Sequence, residues 1–342
     1  MKKDTCDVTV VGGLPRPVGG VTSFVSRLAA QNMVSEIVDL YPSAKKIIPT
    51  SYLGRVVFVK GLVGFLFYYW RRMFYWRGRL VHFNFSRARS VLILFFLPKF
   101  GAKFAFMLHH GELSFSRFGF LYKFAFSRVD LFFCMTSQQE GFYRGFAIPE
   151  SKIVRVSSYV PPSKACVDRE SRAEVDSFFE GGRVFVASGF PKGIYNHEWC
   201  VQYVLEHVEY KLALFIYGDG DLKERLLESV SECDRLNIYF DCDQDLFNYA
   251  ISKCFIYLRP ASTDSFGVAV ADAVEMGVQV LASDVCKRYP GALLFSLSDY
   301  EAFCRCLDAV ITGQRVRVET SDDFYPFLYP DMKILGFKKE EL

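Results

Sequence analysis

A chain of 342 residues, 51% hydrophobic and 23% charged, is too apolar to be disordered and long enough to bury two cores. Its net charge of +3 conceals an imbalance: residues 1–165 carry 23 Lys/Arg against 8 Asp/Glu, and residues 166–342 carry 18 against 30. Nothing in the sequence offers the ~20 predominantly apolar residues of a membrane-spanning helix, and Asp4 and Asp7 stand where a signal peptide would turn apolar.

The first strand is expected at Asp7–Val11, followed by the turn LPRPVGG and a helix over Val21–Ala30. Strands follow at Ser35–Leu40, Leu80–Phe85, Lys103–Leu108 and Leu131–Met135, with helix-like stretches between them. Their nearly continuous apolar character predicts a parallel sheet covered on both faces. Between the second and third lies Arg55–Arg79, with six Arg/Lys, nine aromatic residues and no acid. It reads either as a core helix with basic ends or as a helix meeting an anionic membrane; the absence of any acid from 51 to 100 favours the membrane. No nucleic-acid-binding motif accompanies the charge, so nucleic acid is not an expected partner.

Pro161-Pro162, within Ser158–Ala165, coincides with the change in charge sign and reads as a linker. The alternation then restarts, with strands at Val184–Ala187, Leu212–Tyr217, Leu236–Phe240, Phe255–Leu258 and Val278–Ala282, and helices such as Leu222–Val230 and Gln244–Ser252. Two consecutive α/β domains are predicted: 1–162, 163–315, and a tail 316–342 crossing back to the first. The ten cysteines form no C-x-x-C pair and read as reduced, mostly buried thiols, which suits a cytoplasmic protein.

Ligands of such sheets bind beyond the carboxyl ends of the strands. The stretch there richest in chemistry is YLRPASTDSFGVAVADAVEMGVQVLASD, residues 257–284. A polar loop leads into a helix expected from Ser265 or Phe266 to Met276, with Gly277 as its left-handed terminator. The helix N-terminus suits a diphosphate. Asp264 either caps the helix or accepts bonds from sugar hydroxyls. Asp272 is either a solvated acid or an acceptor for a ribose diol.

Pro260, Asp264-Ser265-Phe266-Gly267, Asp272-Ala273, Gly277 and the strand after it resemble the signature of retaining GT-B glycosyltransferases, most closely glycosyltransferase family 4. Supporting pieces fall in order: the glycine loop with Gly19 and Gly20, His110 before Gly111, Lys192-Gly193, and the turn with Gly218 and Gly220. The resemblance implies two doubly wound, Rossmann-like domains facing across a cleft. It places Asp264 at the donor sugar and His110 on the acceptor side as catalytic residues. Gly19, Gly20, Lys192, Gly218, Ser265, Phe266, Gly267 and Asp272 would bind the donor. Both family Glu are Asp here, and the Arg expected near Ser188–Phe190 is missing. Arg259, beside the carboxylate loop, is the candidate to take its place.

Asp241-Cys242-Asp243 is a D-x-D pair, but its position before a helix reads as capping; no metal and no cofactor is expected. The implied reaction is metal-independent sugar transfer from a UDP-sugar, before a GDP-sugar, to a glycan or lipid-linked acceptor. Bacterial surface polysaccharide assembly (O-antigen or capsule), on the inner face of the plasma membrane, is the implied setting. A degenerate GT-B scaffold and a GT-B nucleotide-sugar epimerase are the alternatives.

Overall fold

Short runs of Val, Ile, Leu and Phe build the framework. In the computed structural model, which describes residues 7–15, 19–42, 46–109, 119–162, 167–264, 266–320, 327 and 329, they pair into two seven-stranded sheets. Contacts divide the chain into a first unit, Met1–Ser163 with Tyr325–Leu342, and a second, Lys164–Phe324.

In the first unit the elements are β1 (Val8–Gly12), α1 (Gly20–Ala30), β2 (Glu36–Asp39), β3 (Arg55–Phe58), α2 (Gly61–Arg71), β4 (Leu80–Phe85), β5 (Lys103–Leu108), α3 (Gly119–Ser127), β6 (Leu131–Cys134), α4 (Ser137–Gly145) and β7 (Ile153–Arg155). The order β3-β2-β1-β4-β5-β6-β7 is parallel throughout and reverses direction at β1/β4. β1, β2 and β4 are wholly buried, as strands covered on both faces must be. Glu36 inside β2 is tolerated because Arg72 Nη1 lies 3.1 Å from one carboxylate oxygen, to which Tyr68 also donates at 2.9 Å.

The stretch 55–79 is not one helix. Arg55–Phe58 pairs with β2 as an edge strand, α2 follows, and a 3₁₀ turn covers Met73–Trp76. Four β-suited residues next to a longer aromatic run carry too little periodicity to separate from it. Phe65, Tyr69 and Trp76 enter the core, so the core reading of this stretch holds for one face of α2. Two residues of the returning segment also complete this unit. Phe327 stacks on His82 of β4 at 5.8 Å, and Tyr329 OH sits 2.8 Å from His82 Nδ1.

The second unit contains α5 (Arg169–Phe179), β8 (Arg183–Gly189), α6 (His197–Glu206), β9 (Tyr210–Ile216), α7 (Lys223–Ser231), β10 (Leu236–Phe240), α8 (Gln244–Lys253), β11 (Ile256–Arg259), α9 (Val268–Glu275), β12 (Gln279–Ser283), β13 (Leu293–Phe295), α10 (Tyr300–Ile311) and β14 (Arg317–Val318). Its order, β10-β9-β8-β11-β12-β13-β14, is parallel except for the β13/β14 edge, and it reverses at β8/β11. The doubly wound α/β class is the one expected. Among the described cysteines only Cys134 and Cys200 are fully buried, fewer than the sequence implied.

Candidate functional site

The loops leaving β8 and β11 meet where the strand order of the second unit reverses, the place where open α/β sheets hold ligands. They are tied together: Asn196 Nδ2 donates to Pro260 O at 2.7 Å and Ser262 N to Ile194 O at 2.7 Å. Arg259, the last residue of β11, reaches back and donates from Nη1 to Ser188 O at 2.7 Å.

Asp264 closes this arrangement. Its Oδ2 accepts from Arg259 Nε at 2.9 Å and from Arg288 Nη1 at 2.7 Å. Only 10% of the Asp264 side chain is exposed, and none of Arg288's. Burial by itself would raise the Asp264 pKa, but the two guanidinium groups outweigh it and hold the carboxyl well below its usual range. Arg288 is fixed further through Nε to Ser283 O at 2.9 Å and Nη2 to Ser283 Oγ at 3.1 Å. Two cations share one anion, so the cluster keeps an excess positive charge. Asp264 is an ion-pair centre rather than a helix cap.

Gly267 has φ +76°, and a Cβ there would lie 2.7 Å from Arg288 Nη1. Gly267→Ala is therefore expected to lose more than the ~1 kcal/mol typical of a point mutant. An unchanged urea midpoint would contradict this packing. The helix α9 begins at Val268, after this glycine, and not at Ser265 or Phe266 as expected. Its first-turn amides are those of Val268 and its successors. At the other end Gly277 is left-handed, with Gly277 N donating to Val274 O and Val278 N to Ala273 O, each at 2.9 Å. This is a Schellman termination and it launches β12. Phe266 lies between Asp264 and Gly267, while Ser265 falls outside the described residues. Asp272 is fully buried inside α9, so it is not the solvated acid; a ribose would reach it only after its surroundings open.

Lys192 is exposed on the loop after β8, its Nζ 5.8 Å from the centroid of the Phe190 ring. The glycine turn packs against the same loop. A Cβ on Gly220 would lie 2.2 Å from Pro191 O, and Gly218, at φ +65°, would press one on the Phe190 ring. Gly218 N donates to Asp241 Oδ1 at 2.8 Å, and Asp243 Oδ1 accepts from Leu246 N at 2.8 Å to cap α8. Both D-x-D carboxylates therefore have structural bonds, and no cluster of three metal-ligating residues occurs among the described residues.

In the first unit Gly19 caps α1, with Gly19 N donating to Thr22 Oγ1 at 2.9 Å. A Cβ at Gly19 or Gly20 would meet nothing within 4 Å, so packing does not require glycine there; bare backbone faces open space. His110 lies outside the described residues. Its neighbour His109 has Nε2 2.9 Å from Asn84 Oδ1 and packs against Phe24. Desolvation lowers the His109 pKa to about 3. In the second unit burial first, and Arg259 next, lower His197 to about 3.

Burial also depresses His82, so three histidines are neutral in the fold. Unfolded histidines bind protons below ~6.5. The unfolded state thus gains protons first as pH falls, and stability present above pH ~6.5 is lost toward the depressed values, at up to ~1.4 kcal/mol per pH unit per group. The urea midpoint is expected to fall between pH 7 and pH 5. A flat profile would contradict the neutral buried rings.

Arg288 had no signal in the sequence. It lies 24 residues beyond Asp264, with α9 and β12 between, and only the sheet order brings the two together. Tyr195, whose ring lies 4.9 Å from the Arg259 guanidinium and stacks on His197, was equally silent.

No family model and no curated protein matches the chain. Solved structures do. HepE from Anabaena, in complex with UDP-glucose, has 9% identity over 90% of each chain and a TM-score of 0.68. Sucrose-phosphate synthase from Thermosynechococcus elongatus has 15% identity over 90% of each chain and a TM-score of 0.64. The catalytic domain of starch synthase IV from Arabidopsis thaliana, bound to ADP and acarbose, has 10% identity over 98% of this chain and 94% of its own, with a TM-score of 0.63. At these identities the likeness shows the fold, which is GT-B.

Proposed function

We propose that this chain, with its GT-B fold, is a retaining, metal-independent glycosyltransferase. It takes a sugar from a nucleotide-diphospho-sugar, UDP-linked before GDP-linked, and passes it to a glycan or lipid-linked acceptor in bacterial surface polysaccharide assembly. The observation that carries the reading is the Arg259–Asp264–Arg288 cluster, with its excess positive charge, at the carboxyl ends of the two central strands. The exposed Lys192 stands on the adjoining loop. Fixed positive charge is what a departing diphosphate needs as the glycosidic bond breaks. HepE, solved with UDP-glucose, supports the choice of donor class.

In this reading Lys192 and the α9 amides receive the diphosphate, with Gly218, Phe266 and Gly267 shaping the loops around it. Asp264 stands at the donor sugar while holding both arginines in place. Asp272 meets the ribose once its surroundings open, and Gly19, Gly20 and His110 serve the donor and acceptor. The leaving phosphate helps to take the acceptor proton, and no protein nucleophile is assigned.

A ligand that binds the native state alone stabilises it by mass action, by about 2.7 kcal/mol at a hundred times Kd, and so raises its melting point. A panel of UDP, GDP, ADP, CMP and their common sugars should give a selective shift with UDP and a UDP-sugar. A product that keeps the donor's anomeric configuration then establishes retention. Binding without transfer would favour the scaffold reading, which the engagement of Asp264 by two arginines and the burial of Asp272 also fit. A released sugar nucleotide with inverted configuration and no new linkage would favour the epimerase.

A further inference from the structure

A helix on the surface of a soluble unit normally turns a polar face to water. Helix α2 does not. Its eleven residues, GLVGFLFYYWR, carry one charge, and while Phe65 and Tyr69 fill the core, the opposite face shows Val63, Phe67 and Trp70 to solvent at helical spacing. Phe67 is 76% exposed and Phe74, just beyond the helix, 89%. The apolar surface continues onto elements distant in sequence. Trp70 Nε1 donates to Phe96 O at 2.9 Å, and the Phe96 ring is itself exposed. Beside it Phe95 stacks at 4.6 Å on the exposed Phe124 of α3.

The charges carried by these three elements, Arg71, Arg89 and Lys123, are of one sign. Residues 40–111 contain twelve Lys/Arg and no Asp or Glu. Lys60, Arg71, Arg77 and Lys123 are exposed, and none has an ion-pair partner among the described residues. Arg72 and Arg79 of the same stretch, in contrast, face Glu36 and Asp7. The pairing marks which cations serve the fold and which face outward.

We propose that the face formed by α2, the 3₁₀ segment Ala88–Phe96 and α3 docks on an anionic lipid bilayer. The exposed rings would enter the headgroup boundary, and the unpaired cations would lie against lipid phosphates. At about 1.5 Å per residue α2 is far too short to span a bilayer, and no helix among the described residues is long and apolar enough to cross one. It therefore lies in the plane of the interface. A second copy of this chain is a poorer occupant, because a twofold contact would set the cationic rim against itself. As the place where a lipid-linked acceptor is met, this face rests on the transfer reading; its contact with lipid does not.

The test is flotation of the full chain with vesicles of phosphatidylcholine and phosphatidylglycerol, against phosphatidylcholine alone. Binding is expected to the anionic vesicles at low salt, weaker at high salt. It should fall about tenfold or more in Phe67→Glu/Phe74→Glu, whose positions are too exposed to threaten the fold. Circular dichroism and the melting point check that fold. No flotation at low salt, or equal binding by the double variant, would overturn the proposal. So would a concentration-dependent dimer that the double variant abolishes in place of lipid binding. The nucleotide panel on the same preparations separates the two readings: vesicle binding without any nucleotide shift keeps the docking face and removes the transferase.

Discussion

Alanine at position 264 is expected to destabilise the second unit by about 3–5 kcal/mol, the range seen when one partner of a buried ion pair is removed. The carboxylate is the anionic partner of two arginines, one of them with no exposed side chain. Without it, Arg288 keeps its bonds to Ser283 but retains a buried, uncompensated charge. Replacing Arg288 by methionine in the same chain should recover part of the loss, because the stranded cation leaves with the carboxylate. The pH dependence follows from the depressed carboxyl pKa. The contribution of Asp264 is full above ~3.9, its unfolded value, and disappears as pH falls toward the folded one. The wild type and Asp264→Ala should therefore converge in stability below about pH 4. Urea midpoints measured from pH 7 downward decide this, and an alanine variant as stable as wild type at pH 7 would show that the cluster is not what holds the loop. It also follows that lost turnover in Asp264→Ala, taken alone, does not locate the chemistry.

Lys192→Ala should do the reverse. The residue is exposed, with its ammonium group 5.8 Å from the centroid of the Phe190 ring and no ion pair among the described residues, so its removal should change stability by no more than ~0.5 kcal/mol. In the proposed reaction the same group faces the charge that develops on the leaving diphosphate. Removing one preorganised electrostatic partner of this kind lowers turnover about 10²–10³-fold. Lys192→Arg should recover part of the rate, since charge persists while geometry changes. The measurement is kcat and kcat/KM for transfer from a UDP-sugar, with the melting point recorded alongside. Full turnover in Lys192→Ala would remove this residue from the donor site. The two variants together separate a residue that holds the loop from one that serves the substrate.

The doubly wound fold was readable because its signal is local. Leu80–Phe85, Lys103–Leu108 and Leu236–Phe240 are apolar strands bounded by polar turns, and they occur at the residues where the pattern puts them. Strands of two to four residues on the sheet flanks, such as β3 and β14, were not readable, since so few residues show no period. The site was legible where a motif is continuous in sequence. Gly277 ends α9 as its position implies, and Asp264 stands out in the sequence, although its bonds to two arginines do not. Arg288 reaches Asp264 only through the packing of β12 against β11. Pairings of that kind are set by strand order, which no local pattern records.

The insertion of Phe327 and Tyr329 beside His82 has a consequence for how the molecule is made. All the described strands of the first sheet are synthesised before the second unit, yet the ring that stacks on β4 is encoded after it. At about 5–20 residues per second, the first unit waits roughly ten to thirty seconds for those two side chains. During that interval the nascent domain has a sheet whose histidine lacks its phenolic partner and whose apolar surface is uncovered. A chain released before residue 327 would remain in that state, so its first half should depend on a chaperone far longer than its strand content implies.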